Sequence, residues 1–169
     1  MEARKMKGGL PAITDPKVVY FDHTIQFRVR YSETDQMGTF YNSRALEWFE
    51  CGRTEVLRAL GIPYSAMETE GVFLPLIEAH VEYAGRAEYD DLLNLTTRIY
   101  LCGRARFQAD ELLVHADTGA VVARGYTRHA FVDATGRAIR PPEWLLSKFV
   151  EVVSARQNEA SRNGIPQIV

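Results

Sequence analysis

Asn42-Ser43-Arg44-Ala45-Leu46-Glu47-Trp48-Phe49-Glu50-Cys51-Gly52-Arg53-Thr54-Glu55-Val56-Leu57-Arg58-Ala59-Leu60-Gly61-Ile62-Pro63 carries Ala45, Trp48, Phe49, Gly52, Val56, Leu57 and Leu60 at steps of three and four. That is the period of a helix with one buried face. Asn42 or Ser43 supplies the N-cap, and Gly61 followed by Pro63 ends the helix. At about 1.5 Å per residue it is about 27 Å long. Gly52 at its middle costs about 1 kcal/mol relative to Ala, a cost that a close approach to a sheet would offset.

On the N-terminal side, Ile25, Phe27, Val29 and Tyr31 alternate with Gln26, Arg28 and Arg30, the pattern of a strand buried on one face. Its parity predicts Tyr31 on the core face, with Glu33 and Asp35 following. On the C-terminal side a short helix is expected around Ser65 to Glu70, then four strand-like runs. Ile77 to Tyr83 and Leu93 to Leu101 alternate cleanly. In the third run the apolar face shifts from Phe107 and Ala109 to Leu112 and Val114, which predicts a bulge near Asp110. The fourth run is Val121 to Asp133, after the Asp117-Thr118-Gly119 turn. Pro142 to Val153 reads as a closing helix.

Strand, long helix, then four strands on hairpin-scale connections is not the alternation of a doubly wound α/β fold. It predicts an α+β fold: an antiparallel sheet of about five strands curled around one long helix, with a short C-terminal helix. The single domain is expected over residues 19–153, between a loose arm (1–18) and a polar tail (154–169). One helix covers one face of such a sheet, so a second copy of the chain is expected to hide the remaining edge or face.

With 169 residues, 46% of them hydrophobic and 25% charged, the chain is long enough for one unaided core. Lys plus Arg is 20 and Asp plus Glu 22, a net charge of −2, which gives no support to general nucleic-acid binding. Two cysteines make neither a disulfide framework nor a zinc site. The four histidines lack zinc-ligand spacing and are expected mostly on solvated strand faces, so no metal is expected. There is no apolar run of signal-peptide or membrane-span length, and a cytoplasmic location is expected.

No phosphate-binding glycine motif or nucleophile elbow occurs. The loop before the long helix carries the chemistry instead. Asp35 lies seven residues before Asn42, where the free N–H groups and positive end of the helix favour developing negative charge. A carboxylate there can attack a polarised carbonyl, or activate water against it. It can equally do no more than shape the loop through an Asx-turn.

Val29-Arg30-Tyr31-Ser32-Glu33-Thr34-Asp35-Gln36-Met37-Gly38-Thr39-Phe40-Tyr41-Asn42, followed by Glu47 to Glu55 with its Arg53, resembles the hotdog-fold thioesterases. The type is that of the 4-hydroxybenzoyl-CoA thioesterase-like and YbgC-like acyl-CoA thioesterases. The likeness runs from about Tyr20 to Phe149 and includes Tyr83, Asp91 and the Asp133-Ala134-Thr135-Gly136-Arg137 turn.

The resemblance implies hydrolysis of acyl-CoA without a metal or redox cofactor, by a dimer or dimer of dimers with active sites at a subunit interface. Asp35 would be the catalytic carboxylate, the Asn42 backbone N–H would bind the thioester oxygen, and Tyr31 would help organise the site. Gly38, Thr39, Phe40 and Tyr41 would lie against the substrate. Position 42 is often His or Tyr in this family; Asn keeps the backbone donor but has no titrating side chain. Arg104 and Arg106 are candidates for the coenzyme A phosphates, or else a solvated strand face, while Trp48 and Phe49 read as core. An acyl-carrier-protein thioesterase and a non-catalytic acyl-CoA-binding hotdog are the alternatives. A hotdog hydratase would need a histidine that the stretch between His23 and His80 lacks.

Overall fold

The computed structural model describes residues 9–15 and 18–162, with side chains to 156. The elements run β1 (Tyr20–Arg28), a 3-10 turn (Tyr31–Glu33), α1 (Arg44–Ala59), α2 (Tyr64–Thr69), β2 (Leu76–Tyr83), β3 (Leu92–Leu101), β4 (Arg106–His115), β5 (Val121–Ala130) and α3 (Glu143–Arg162). The strands form one antiparallel sheet in the order β1-β3-β4-β5-β2. α1 packs across its concave face, mainly on β1 and β3. This is the α+β arrangement expected from the element order, and the hotdog fold that the resemblance implies.

α1 ends as the Gly61-Ile62-Pro63 text requires. Gly61 has φ +72°, its N–H donates to the Arg58 carbonyl at 2.9 Å and that of Ile62 to the Leu57 carbonyl at 3.0 Å, a Schellman cap. Ser43 stands at the N-cap, although its side chain makes no capping bond. α3 continues to Arg162, past the Val153 where the sequence reading ended it, so the tail expected from Ser154 is helical over its first nine residues. Residues 1–8, 16–17 and 163–169, the greater part of the expected arm and the rest of the tail, lie outside the described residues.

Two hydrophobic clusters fill the concave side. One gathers Ala45, Trp48 and Phe49 of the first turns of α1 with Val29, Phe40, Leu95 and Leu113. The other gathers Val56, Leu57 and Leu60 with α2, Phe107, Phe131 and the Leu145, Phe149 and Val153 face of α3. Each large side chain buried this way contributes about 1.5–3 kcal/mol. Gly52 sits between the clusters, where α1 comes down onto the sheet. A Cβ at that position would stand 2.9 Å from Leu95 Cδ2 and nearer still to Thr97 Oγ1.

The bulge expected near Asp110 is absent. β3 and β4 stay in register from Leu93 opposite His115 to Leu101 opposite Phe107, and the shift in the β4–β5 pairing falls at Leu113/Val114 instead. The core face of β4 is Phe107, Ala109, Glu111 and Leu113, with Glu111 only 1% exposed. A buried carboxyl group at position 111 breaks the apolar alternation in the same way as a one-residue slip, which is why the pattern alone predicts a bulge. His129 is likewise buried on the concave side rather than on a solvated face.

Candidate active site

The loop between the 3-10 turn and α1 is a tight hairpin. Thr34 and Phe40 bridge, the Asp35 N–H donates to the Thr39 carbonyl at 2.9 Å, and Gly38 N–H donates to the Asp35 carbonyl at 3.0 Å. Gly38 closes the turn at φ +72°, a conformation that favours glycine, and a Cβ there would touch nothing. Its role in this chain is therefore the turn itself. Asp35 Oδ1 accepts the Met37 N–H at 2.8 Å. That is the Asx-turn; it engages one carboxylate oxygen and leaves Oδ2 without a partner among the described residues.

The hairpin is pinned from both sides. Phe40 N–H donates to the Ala87 carbonyl at 2.8 Å, and Arg86 Nη2 donates to the Met37 carbonyl at 2.6 Å. Tyr41 N–H donates to the Glu33 carbonyl at 2.8 Å, and the Tyr83 hydroxyl donates to the Asn42 carbonyl at 2.8 Å. The first helical bonds of α1 run from Arg44, Ala45 and Leu46 back to the carbonyls of Tyr41, Asn42 and Ser43. Among the described residues, the N–H groups of Asn42 and Ser43 reach no acceptor. Two open donors at the positive end of a sixteen-residue helix can hold a carbonyl oxygen as charge builds on it.

Glu33 is the residue that the sequence reading did not single out. It is buried, accepting from Arg30 N and Arg30 Nη2 at 2.7 Å each and from Trp48 Nε1 at 3.0 Å. Burial works against its charge, but the bonds from the Arg30 side chain and backbone and from Trp48 outweigh it and hold the carboxyl below the usual range. Glu33 thus ties the loop to α1. The signal was present in the sequence: a tryptophan in an apolar stripe needs an acceptor for its indole N–H, and strand parity had already pointed Glu33 inward.

The other sequence-predicted residues scatter. β1 stops at Arg28 and the 3-10 turn rotates Tyr31 outward, so its ring is 78% exposed and packs edge-on against Tyr89 at 5.6 Å, not on the core face. Phe40 is buried against Trp48 at 5.1 Å and belongs to the core, whereas Tyr41 is exposed beside the loop. Thr39 Oγ1 bonds the Ala87 carbonyl at 3.2 Å. Arg104 and Arg106 are exposed at the β3–β4 hairpin, the end of the sheet opposite the Asp35 loop of the same chain.

Halfway down α1, a cavity of about 310 Å³ opens between the helix and the β5–β2 side of the sheet. Arg53, one turn below the sheet-facing Trp48 and Phe49, sends Nη1 to Thr127 Oγ1 at 3.2 Å. His129 Nδ1 stands 2.9 Å from the Leu74 carbonyl, which can only accept, so Nδ1 carries the proton and Nε2 faces Thr127 Oγ1 at 3.3 Å as an acceptor. Burial, against the Leu74 bond and with the help of Arg53, lowers His129 to about 4, so the imidazole is neutral. Glu111 lies behind, accepting from Thr97 Oγ1 at 2.5 Å, while its Oε1 is buried without a partner. Burial drives its carboxyl well above the ordinary range, despite the Thr97 bond and the charge of Arg53.

A sheet wrapped on one long helix is the arrangement of the hotdog fold. The family model of the thioesterase-like superfamily matches residues 29–149, and the chain belongs to that family. It is similar to YneP of Bacillus subtilis, 41% identical over 66 residues that make up 39% of this chain and 48% of YneP. It is also similar to the acyl-CoA thioester hydrolase YbgC of Escherichia coli O157:H7, 35% identical over 72 residues, 43% of this chain and 54% of YbgC. The matched stretch thus spans about half the length of each. The crystal structure of the hypothetical protein AQ1494 from Aquifex aeolicus superposes with a TM-score of 0.70 at 29% identity, covering 75% of this chain and 98% of the other. No helix among the described residues is long and apolar enough to cross a membrane.

Proposed function

We propose that this protein hydrolyses acyl-CoA thioesters to the free acid and coenzyme A. The observation that carries this reading is the pairing, on one hairpin, of a carboxylate whose Oδ2 has no partner among the described residues, Asp35, with two N–H donors, Asn42 and Ser43, that reach no acceptor among them. The thioester oxygen accepts from Asn42 N–H, and the carbonyl carbon is left facing a nucleophile. Asp35 delivers that nucleophile in one of two balanced ways. If its own oxygen attacks, the C–S bond breaks, coenzyme A leaves as thiolate, and water then opens the acyl-aspartyl anhydride. If it deprotonates a water, the hydroxide adds and the proton passes to the leaving thiolate. Both routes need only the carboxylate, the donors and water, with coenzyme A entering as part of the substrate.

The edge strand supports a dimer. β2 is exposed on both faces, with Leu76 and Ile77 about half exposed at one end and Tyr83 at the other. A two-fold axis on that edge would pair β2 with its copy antiparallel and so reverse the two ends of the sheet. The Asp35 loop, tied to the Tyr83 end, would then meet the partner's Leu76 end, where the cavity beside Arg53 opens and the Arg104 and Arg106 hairpin lies.

Hydrolysis of a panel of acyl- and aroyl-CoA esters, followed by released thiol, tests the assignment. Asp35→Asn keeps an oxygen to accept the Met37 N–H, so the loop is retained while the carboxylate is lost. We expect at least a hundredfold loss of rate, about 2.7 kcal/mol. Full activity in the variant would reduce Asp35 to a loop residue and refute the site. A wild-type protein inert on every CoA ester but active on acyl-carrier-protein esters would move the carrier, and tight binding without turnover would make it a sensor.

A further inference from the structure

We propose that Tyr83 is a positioning residue for the thioester oxygen: its hydroxyl fixes and polarises the Asn42–Ser43 peptide, whose N–H is one of the two open donors at the start of α1. The proposal deepens the thioesterase reading and rests on it for the substrate.

Three peptide units lead into α1, and their carbonyls are held differently. The Tyr41 carbonyl accepts from Arg44 N–H at 2.8 Å and the Ser43 carbonyl from Leu46 N–H at 3.2 Å. Between them, the Asn42 carbonyl receives from the backbone only a long contact, 3.4 Å from Ala45 N–H. Its short bond comes from the Tyr83 hydroxyl, at 2.8 Å. A carbonyl oxygen can only accept, so the hydroxyl donates. Among the described residues, Tyr83 is the side chain that bonds the backbone of this donor segment.

The Asn42 carbonyl and the Ser43 N–H belong to one resonant peptide unit. A donor on its oxygen draws electron density from its nitrogen and makes the N–H a stronger donor. Linked hydrogen bonds reinforce one another in this way by about 10–30% per bond. With its oxygen anchored, the planar unit also cannot swing its N–H away. A donor that is fixed and polarised before the reaction gains most as charge builds on the thioester oxygen, and so acts on the barrier more than on substrate binding.

Tyr83 is itself well fixed. Its ring stands 6.1 Å from that of Phe40, which packs on Trp48. Beyond Tyr83, Ala84 and Gly85 N–H both donate to the Val122 carbonyl at 3.0 Å, and a Cβ on Gly85 would stand 2.5 Å from the Val121 carbonyl oxygen. The next residue, Arg86, holds the Met37 carbonyl near Asp35. One strand exit thus ties down both the donor end and the carboxylate end of the hairpin.

Tyr83→Phe keeps the ring and removes the donor. On whichever ester of the panel wild type turns over fastest, we expect kcat to fall about tenfold, less than the hundredfold or more that removing a directly contacting donor costs, with KM changed by less than about threefold. Exchanging Tyr83 for a ring-fluorinated tyrosine, a more acidic phenol and a stronger donor, should raise kcat above that of wild type at a pH where the phenol keeps its proton. A second readout needs no turnover: the infrared stretch of the same thioester, labelled at its carbonyl carbon and bound to Asp35→Asn. It should drop on binding, and drop less when Tyr83→Phe is added. Wild-type kcat in Tyr83→Phe, no gain from the fluorinated ring, or a carbonyl shift that Tyr83→Phe leaves whole overturns the proposal and leaves the thioesterase reading standing. A wild-type protein inert on every ester refutes that reading, and the proposal falls with it.

Discussion

Gly52→Ala puts one methyl group where α1 touches the sheet. In an open helix that change would stabilise by about 1 kcal/mol through propensity. Here the new Cβ would sit 2.9 Å from Leu95 Cδ2, 3.3 Å from Glu111 Oε2, and closer than either to Thr97 Oγ1. Real Cβ atoms do not tolerate such contacts, so Thr97 must rotate or the helix must lift. Rotation breaks the Thr97 bond to Glu111, which already has an unpartnered Oε1, and leaves both carboxyl oxygens buried without donors. That loss costs about 1–3 kcal/mol, and the overpacking itself about 1–3 kcal/mol.

Set against the propensity gain, the expected outcome is a net loss of about 3 kcal/mol. In a domain of this size that lowers Tm by about 6–12 °C. Urea and thermal unfolding at one fixed protein concentration measure it; concentration matters because a dimer's stability depends on it. Thr97→Ala removes the oxygen that the methyl meets. The double variant should therefore lose less than the sum of the single losses, by about 1 kcal/mol or more. A Gly52→Ala protein as stable as wild type, or strict additivity with Thr97→Ala, would refute the view that this glycine is present for close approach.

Glu33→Gln should lower stability by about 2 kcal/mol, because the charge-assisted bonds from Arg30 weaken and one amide N–H is forced toward a donor. It should also reduce kcat on any turned-over ester more than it raises KM; unchanged stability and kcat would show that Glu33 does not hold the loop. His129 sets a pH dependence. Folded, it titrates near 4, and unfolded near 6.5. Between those values only the unfolded chain binds the proton, so stability rises with pH through that window and is lost as pH falls toward 4, by up to about 3 kcal/mol. Glu111 acts in the opposite sense, since its raised value makes the folded chain the proton binder above the ordinary carboxylate range and stability falls as pH rises there. Urea midpoints between pH 4 and 7 should show a shallower acid loss in His129→Gln than in wild type; equal slopes would mean that the imidazole is charged in the fold.

Periodicity and punctuation made the architecture legible. The spacing from Ala45 to Leu60, the Gly61-Ile62-Pro63 stop and the alternation in β1, β2 and β3 each correspond to an observed element. What failed was local. Tyr31 was carried inward by extending a strand parity through a point where the chain turns, since nothing in Arg30-Tyr31-Ser32 announces a 3-10 turn. The bulge at Asp110 came from treating Glu111 as a surface residue. In a period-2 pattern, one buried carboxyl group and one register slip look alike, and only the partners (Thr97 opposite it and Gly52 above) tell them apart. Part of the site was legible as well, because the Asp35 loop and the α1 N-terminus are contiguous in sequence. The cavity was not. Arg53, Thr127 and His129 come from two elements 74 or more residues apart, and only the fold brings them together.

The polar seam under Gly52 connects the fold to its chemistry. Thr97, Glu111, Thr127, His129 and Arg53 interrupt what would otherwise be one continuous core and leave two hydrophobic clusters in its place. Stability alone does not account for such a seam. Buried ionic and polar groups are commonly replaced by apolar residues of similar volume at no loss, and this one retains, among the described residues, a buried carboxyl oxygen with no partner. Its placement is informative in another way. The seam lies where α1 is seated closest to the sheet, so its side chains have little room to move, and the cavity they border opens toward the exposed β2 edge rather than into the sealed lower core. Catalysis at Asp35 would need only the hairpin and the helix N-terminus. The polar seam lies outside that hairpin, at residues that a stability argument alone would have replaced.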